Sequence, residues 1–263
     1  MDRMKLEILE NNAQPAPGIP PLLFVHGMWH GAWVWEPCFL PAFEKLGYKA
    51  YALSLSNHAG SPSKKAFNLL RIKDYVADLE QVIRSLEQPP ILIGHSMGGF
   101  VVQKYLEKRR LPGAVLMAPV APFGILESTL NVLRKFPLTF LKANITLNLI
   151  HVINDPRRYR YLLCSAAIDD KAIEEYVTKI NSESYLAYMD MLGFDLVNTK
   201  SIDTPLMITG GGQDHSVTVN LLKRTCARYG LTPVIFESMG HNMMLEPDAK
   251  KVVAAIDKWI KSL

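Results

Sequence analysis

The stretch Gly94-His95-Ser96-Met97-Gly98 constrains this chain more than any other. It follows an apolar run, Pro90-Ile91-Leu92-Ile93, and precedes a segment with helical spacing from Phe100 to Arg109. A chain that passes from strand to helix in so few residues must turn sharply, and it needs glycine where a Cβ would crowd the turn. A serine at the apex is lifted above the sheet edge and sits at a helix N-terminus, where backbone N–H groups face developing negative charge. The same five residues also suit a serine that merely caps a helix after a glycine turn. The pattern around them decides between the two.

That pattern is an alternation. Lys5 to Glu10 alternate polar and apolar, which predicts an edge strand, and Pro15 to Pro21 form a Pro-rich loop. Leu22 to Val25 is a continuous apolar run ending at His26-Gly27, the signature of a strand buried on both faces. Helical spacing follows from Trp35 to Lys45, stopped by Gly47, then a strand from Tyr48 to Leu55, a polar loop over 56–70 and a helix from Asp74 to Leu86. After the Ser96 turn come a strand at Ala114 to Met117, then Leu206 to Thr209, a helix from Val219 to Tyr229, a strand at Val234 to Phe236 and a last helix from Ala249 to Leu263. Strands alternating with helices imply βαβ units and a mostly parallel central sheet flanked by helices. From Val120 to Val197 the alternation stops and only helical patterns remain. The expected organisation is therefore a core of residues 1–119 and 196–263, with 120–195 inserted as a helical cap over the sheet's C-terminal edge, where ligands bind in such folds.

Composition narrows the function classes. At 263 residues, 49% hydrophobic and 21% charged, the chain can bury one large core with an insertion. The net charge of +4 is spread out, and Lys64-Lys65 and Lys108-Arg109-Arg110 read as solvated faces, so no nucleic-acid partner is expected. Cys38, Cys164 and Cys226 are far apart and form no CxxC, which argues against a disulfide framework or a zinc site; no metal or cofactor is expected. No apolar stretch follows the basic residues of Met1 to Lys5, and none approaches the ~18 residues of a spanning helix. The expectation is a soluble cytoplasmic protein without stable membrane insertion, of open oligomeric state.

A serine hydroxyl needs a base to take its proton, and that base needs an acid to hold its tautomer. Of seven histidines, His241 follows the strand Val234 to Phe236 in Ser238-Met239-Gly240-His241, a sheet-edge loop. Asp214 follows Leu206 to Thr209 in Gly210-Gly211-Gly212-Gln213-Asp214, where the glycines suit a tight turn; it also suits the role of a helix cap. Asp169, Asp170, Asp190 and Asp195 are weaker rivals within the insertion. The order Ser96, Asp214, His241 is that of one known hydrolase layout. An oxyanion hole needs two donors. Met97 N–H, just after Ser96, is one candidate; Met28 N–H is the other, with Trp29 as second choice, and His26 is expected to order their loop.

With these residues in place, the chain resembles the α/β-hydrolase superfamily over nearly its whole length. His26-Gly27-Met28-Trp29-His30-Gly31-Ala32-Trp33 is similar to the HGxxHGxW stretch of the esterase and hydroxynitrile-lyase branch. The resemblance implies the α/β-hydrolase fold, a sheet of eight strands or slightly fewer, a mobile cap and no cofactor. Ser54 to Ser61, with Ser56-Asn57-His58-Ala59, departs from the common D-x-R-G-x-G-x-S pattern. The reaction implied is hydrolysis of a carboxylic ester through an acyl-enzyme.

Trp29, Phe100, Met239 and Met243 are the substrate-contact candidates, and Leu126 to Leu149 add apolar residues from the insertion; both sets favour an apolar or acyl-chain ester. Because one fold hosts many reactions, a lyase, a C–C hydrolase and a small-molecule receptor stay as alternatives.

Overall fold

The computed structural model describes residues 5–15, 17–63 and 65–263. The N-terminal leader reading, Ala16 of the Pro-rich loop and Lys64 of the basic pair lie outside these residues. Seven strands form one sheet in the order β1-β3-β2-β4-β5-β6-β7. They are β1 Ile8–Glu10, β2 Leu22–Val25, β3 Ala50–Leu53, β4 Ile91–His95, β5 Ala114–Met117, β6 Leu206–Gly211 and β7 Val234–Phe236. Only β1 runs antiparallel, pairing Ile8 with Leu53; every other neighbour pair is parallel. β2, β4 and β5 are buried at every residue, as a sheet covered on both faces requires. This is the expected α/β-hydrolase architecture, with seven strands.

The covering helices of the core are α1 Phe39–Lys45, α2 Ile72–Ile83 and α3 Met97–Leu106. Between β5 and β6 lie α4 Leu126–Lys135, α5 Pro137–Ile145, α6 Pro156–Leu163, α7 Asp170–Lys179 and α8 Tyr185–Met189; α9 Val219–Ala227 and α10 Ala249–Ile260 complete the order. α1 packs on α10, and α2 on α3. Under β2, Phe24 stacks on Trp35 at 4.9 Å between ring centroids and meets Phe39 edge-on at 5.9 Å. Such aromatic pairs each add about 0.5–1.5 kcal/mol beyond the area they bury.

Three local expectations need correction. The helix expected from Trp35 to Lys45 is two pieces: a single turn at Ala32–Trp35, then α1. The helix after Ser96 begins at Met97 and not at Phe100, so no linker separates the serine from the helix end. Gly210 and Gly211 lie inside β6 and make no turn. A Cβ on Gly211 would overlap the carbonyl oxygens of Met239 and Gly240, so the glycine allows the chain leading to His241 to approach the strand.

Candidate active site

Because β2, β4, β6 and β7 are parallel, their C-terminal ends open on one edge. The segments after them carry His26 to Trp29, Ser96, Asp214 and His241, and the fold draws these together from four parts of the chain.

Ser96 has φ 53° and ψ −117°, a conformation that non-glycine residues rarely adopt. Two glycines make it possible: a Cβ on Gly94 would come within 2.6 Å of Gly98 O, and one on Gly98 would overlap the Val25 and His26 carbonyls. The Ser96 hydroxyl makes no capping bond to α3. The reading of this serine as a mere helix cap therefore fails, and its hydroxyl is left to the cavity above.

Asp214 uses its two oxygens separately. Oδ1 accepts from Ser216 N and Val217 N, each at 2.7 Å, and fixes the turn. Oδ2 lies 2.7 Å from His241 Nδ1. It does not cap α9; the Thr218 side chain does. The carboxylate fixes the Nδ1–H tautomer of His241 and leaves Nε2 as an acceptor. Asp214 and His241 are 5% and 3% exposed, so their attraction works away from bulk water. Ser96 and His241 both line one cavity, and no direct hydrogen bond joins them among the described residues. His215 turns away and stacks on Tyr161 with centroids 4.4 Å apart. Among the rival acids, Asp190 is buried against Arg71, Asp170 pairs with Arg160 and Asp195 with Lys104.

The loop after β2 is held by histidines. His26 Nε2 accepts from Leu55 N at 3.0 Å, so its Nδ1–H donates to Gly27 O at 2.8 Å. His26 thus orders the loop, as expected from sequence. His30 Nδ1–H donates to Met28 O at 2.7 Å, and its Nε2 accepts from the Tyr159 hydroxyl at 3.0 Å. Asn242 Nδ2 donates in turn to Tyr159 Oη at 3.1 Å. The Gly27 carbonyl accepts from His26 Nδ1–H at 2.8 Å and from His30 N–H at 3.4 Å, which fixes the peptide before Met28 while the Met28 N–H keeps no acceptor among the described residues. Met97 N–H, first in α3, is likewise free. His95 Nε2–H donates to His241 O at 3.0 Å, tying the residue before Ser96 to the backbone of the histidine loop. Burial holds the His26, His30 and His95 rings well below the usual imidazole range, His30 down to about 3.

The cavity measures about 70 Å³, several times the ~10–15 Å³ that one water occupies by this measure. Its apolar wall includes Val120, Ile125, Val132, Phe140, Leu149 and Val152. Of the four substrate-contact candidates only Trp29 lines it; Phe100, Met239 and Met243 are buried in the core. From the inserted helices, Phe140 and Leu149 contribute, whereas Leu126, Leu138, Leu141 and Ile145 are exposed.

Several groups around the site carry no local signal in the sequence. Buried Glu246 accepts from Gly240 N at 2.9 Å and from Ser165 N and Oγ at 2.8 and 2.6 Å, joining the His241 loop to the end of α6. His58 Nε2 lies 3.1 Å from Glu183, and Tyr75 donates to the same carboxylate at 2.7 Å. Burial pulls the His58 pKa down, yet the charge and hydrogen bond of Glu183 outweigh it and hold it above its ordinary value. Asn181 N donates to Trp29 O at 2.8 Å, so this return segment also touches the loop after β2.

A family model described as alpha/beta hydrolase family matches residues 22–255. Salicylic acid-binding protein 2 of Nicotiana tabacum is 32% identical over 111 residues, 41% of this chain and 42% of that protein. The chain thus spans about two fifths of the length of the curated relatives matched this way. Among solved structures, monoacylglycerol lipase of Paleococcus ferrophilus superposes with a TM-score of 0.71 at 20% identity, covering 98% of this chain and 99% of that one. A thermophilic esterase from Thermogutta terrifontis gives 0.73 at 17%, covering 98% and 94%. At these identities the structural likeness speaks for the fold alone.

Proposed function

Since the chain belongs to the alpha/beta hydrolase family, we propose that it is a serine hydrolase that cleaves carboxylic esters through an acyl-enzyme. Ser96 Oγ attacks the ester carbonyl while His241 Nε2 takes its proton and Asp214 stabilises the imidazolium that forms. The Met97 and Met28 N–H groups receive the oxyanion. His241 then protonates the leaving alcohol, and water, deprotonated by the same ring, releases the acid. The observation that carries this reading is the buried 2.7 Å Asp214–His241 bond facing the cavity that a non-capping Ser96 also lines. Relatives and neighbours described as esterases and lipases agree with it.

Residues 120–195 act as the cap, since α4, α5 and α6 supply much of the cavity wall. The small apolar cavity favours a short or medium acyl chain. No helix of the described residues is long and apolar enough to cross a membrane.

The test is hydrolysis of p-nitrophenyl esters from acetate to palmitate by the wild type and by Ser96→Ala. The wild type should turn over the shorter esters, and the variant should lose on the order of 10³-fold or more in kcat. Folded wild type that hydrolyses none of them would sink the esterase reading and favour a lyase or a receptor.

A further inference from the structure

The cavity wall holds few polar side chains; one is Trp29, whose buried Nε1–H has no partner among the described residues. Besides Ser96 and His241, its side-chain hydroxyls among the described residues are those of Ser128, Thr129, Tyr188 and Ser216. Ser128 Oγ donates to Ser216 O at 2.6 Å, and Ser216 Oγ donates to Leu162 O at 2.8 Å. Thr129 Oγ1 and Tyr188 Oη lie 3.1 Å apart, and neither hydroxyl has another hydrogen-bond partner among the described residues. Two hydroxyls joined by one bond spend one of their two hydrogens. The second remains, in a chamber whose other walls offer it almost nothing polar. Tyr188 is 6% exposed, and burial raises its pKa, so the phenol stays protonated at neutral pH.

Held in α4 and α8, the pair belongs to the insertion, whereas Ser96 belongs to the sheet edge. A substrate bound at Ser96 therefore meets the pair with a part of its chain remote from the reacting carbonyl. Tyr188 is buried and Thr129 half-buried, and a donor there without an acceptor is costly, so a ligand that brings an acceptor gains over one that brings only hydrocarbon. We infer that the Thr129–Tyr188 hydroxyl pair is a specificity element, selecting ester substrates whose acyl chain carries a carbonyl oxygen remote from the scissile bond over plain alkanoyl esters. This rests on the reading of the cavity as the acyl site.

The experiment compares p-nitrophenyl 4-oxopentanoate, 5-oxohexanoate and 6-oxoheptanoate with the unsubstituted esters of equal length. In the wild type at least one oxo ester should exceed its hydrocarbon partner about tenfold in kcat/KM, mostly through KM. The Thr129→Val/Tyr188→Phe double variant should bring that ratio to about one. At least one single variant should keep part of the preference, because each leaves one hydroxyl hydrogen free. A merely structural role would lower both esters alike and leave the ratio standing. A wild-type ratio near or below one at every length overturns the inference, as does a double variant that keeps the wild-type ratio. If the double variant does not fold, the wild-type ratio decides. If no ester is hydrolysed, the esterase reading falls on its own, and calorimetric affinities of the matching oxo and plain acids supply the same ratio.

Discussion

Asp214 is a single carboxylate with two separable duties, and a conservative change separates them. Asp214→Asn can keep Oδ1 as acceptor for Ser216 and Val217 N–H while presenting an amide to His241. The imidazole then loses the carboxylate that fixed its tautomer. In the proposed mechanism kcat should fall by on the order of 10⁴, with little change in the urea midpoint. Steady-state kinetics beside an unfolding curve reads both, and an unchanged kcat would remove Asp214 from the machinery. Gly98 poses the opposite case, where backbone meets backbone. Gly98→Ala drives a methyl into the Val25 and His26 carbonyls, which cannot rotate away. The expected cost is about 3 kcal/mol or more in urea unfolding, the upper range for overpacking. A loss below about 1 kcal/mol, the lower end of that range, would mean that the turn relaxes easily.

At the scale of elements, the insertion is held unevenly. α6 is joined to the core through Tyr159 and through the Ser165–Glu246 bonds just beyond it; the 181–184 return and α8 are joined through Asn181, Glu183, Ser184 and their neighbours. α4 has no fully buried side chain, and α5 has one, Ala143. Hydrogen exchange should be faster over 126–145 than over 156–163 and 181–189. Equal protection would argue for one rigid insertion. The His58–Glu183 pair is the deepest of the ties, with neither side chain exposed. Glu183→Ala strands a buried imidazole and the Tyr75 hydroxyl, and should cost about 3–5 kcal/mol in urea unfolding. This pair joins residues 125 apart, and nothing in either local stretch announces the other. That Ser96, Asp214 and His241 would meet at one sheet edge was legible for the contrary reason: each lies within five residues of the end of a short apolar run, and such runs mark strands, although β7 before His241 is only half-buried. Phe100, Met239 and Met243 were misplaced because an apolar side chain beside a site can turn toward core or cavity, and spacing along the chain does not say which.

For the whole molecule, the buried histidines set how stability varies with acidity. His26, His30 and His95 have pKa values depressed by burial, so the unfolded chain takes up protons below about 6.5 that the folded chain refuses. Each such ring adds stability that is present above its unfolded pKa and is lost as the pH falls; for His30 the loss continues down to about 3. Asp78 opposes them. Burial raises its carboxyl to about 6, so between about 4 and 6 the folded chain holds a proton that the unfolded chain has released. His58, raised by Glu183, stabilises below about 6.5 and loses that contribution as the pH climbs through its folded value. Three rings outweigh one carboxyl in the acid window. The urea midpoint should therefore rise steadily from about pH 4 to 6.5 and level off or decline above it. A flat profile through that window would show that these rings accept protons without unfolding.

The run from Asn242 through Tyr159 and His30 to the Met28 carbonyl has a direction. Tyr159 and His30 each give a hydrogen forward and receive one from behind, so neither can be reversed alone. Its three side chains come from the loop after β7, the insertion and the loop after β2, and they form one character in the evolutionary sense. A lineage that loses the Tyr159 hydroxyl leaves His30 and Asn242 with only their long 3.4 Å contact to each other. Among descendants of this chain, those positions should be kept together or replaced together.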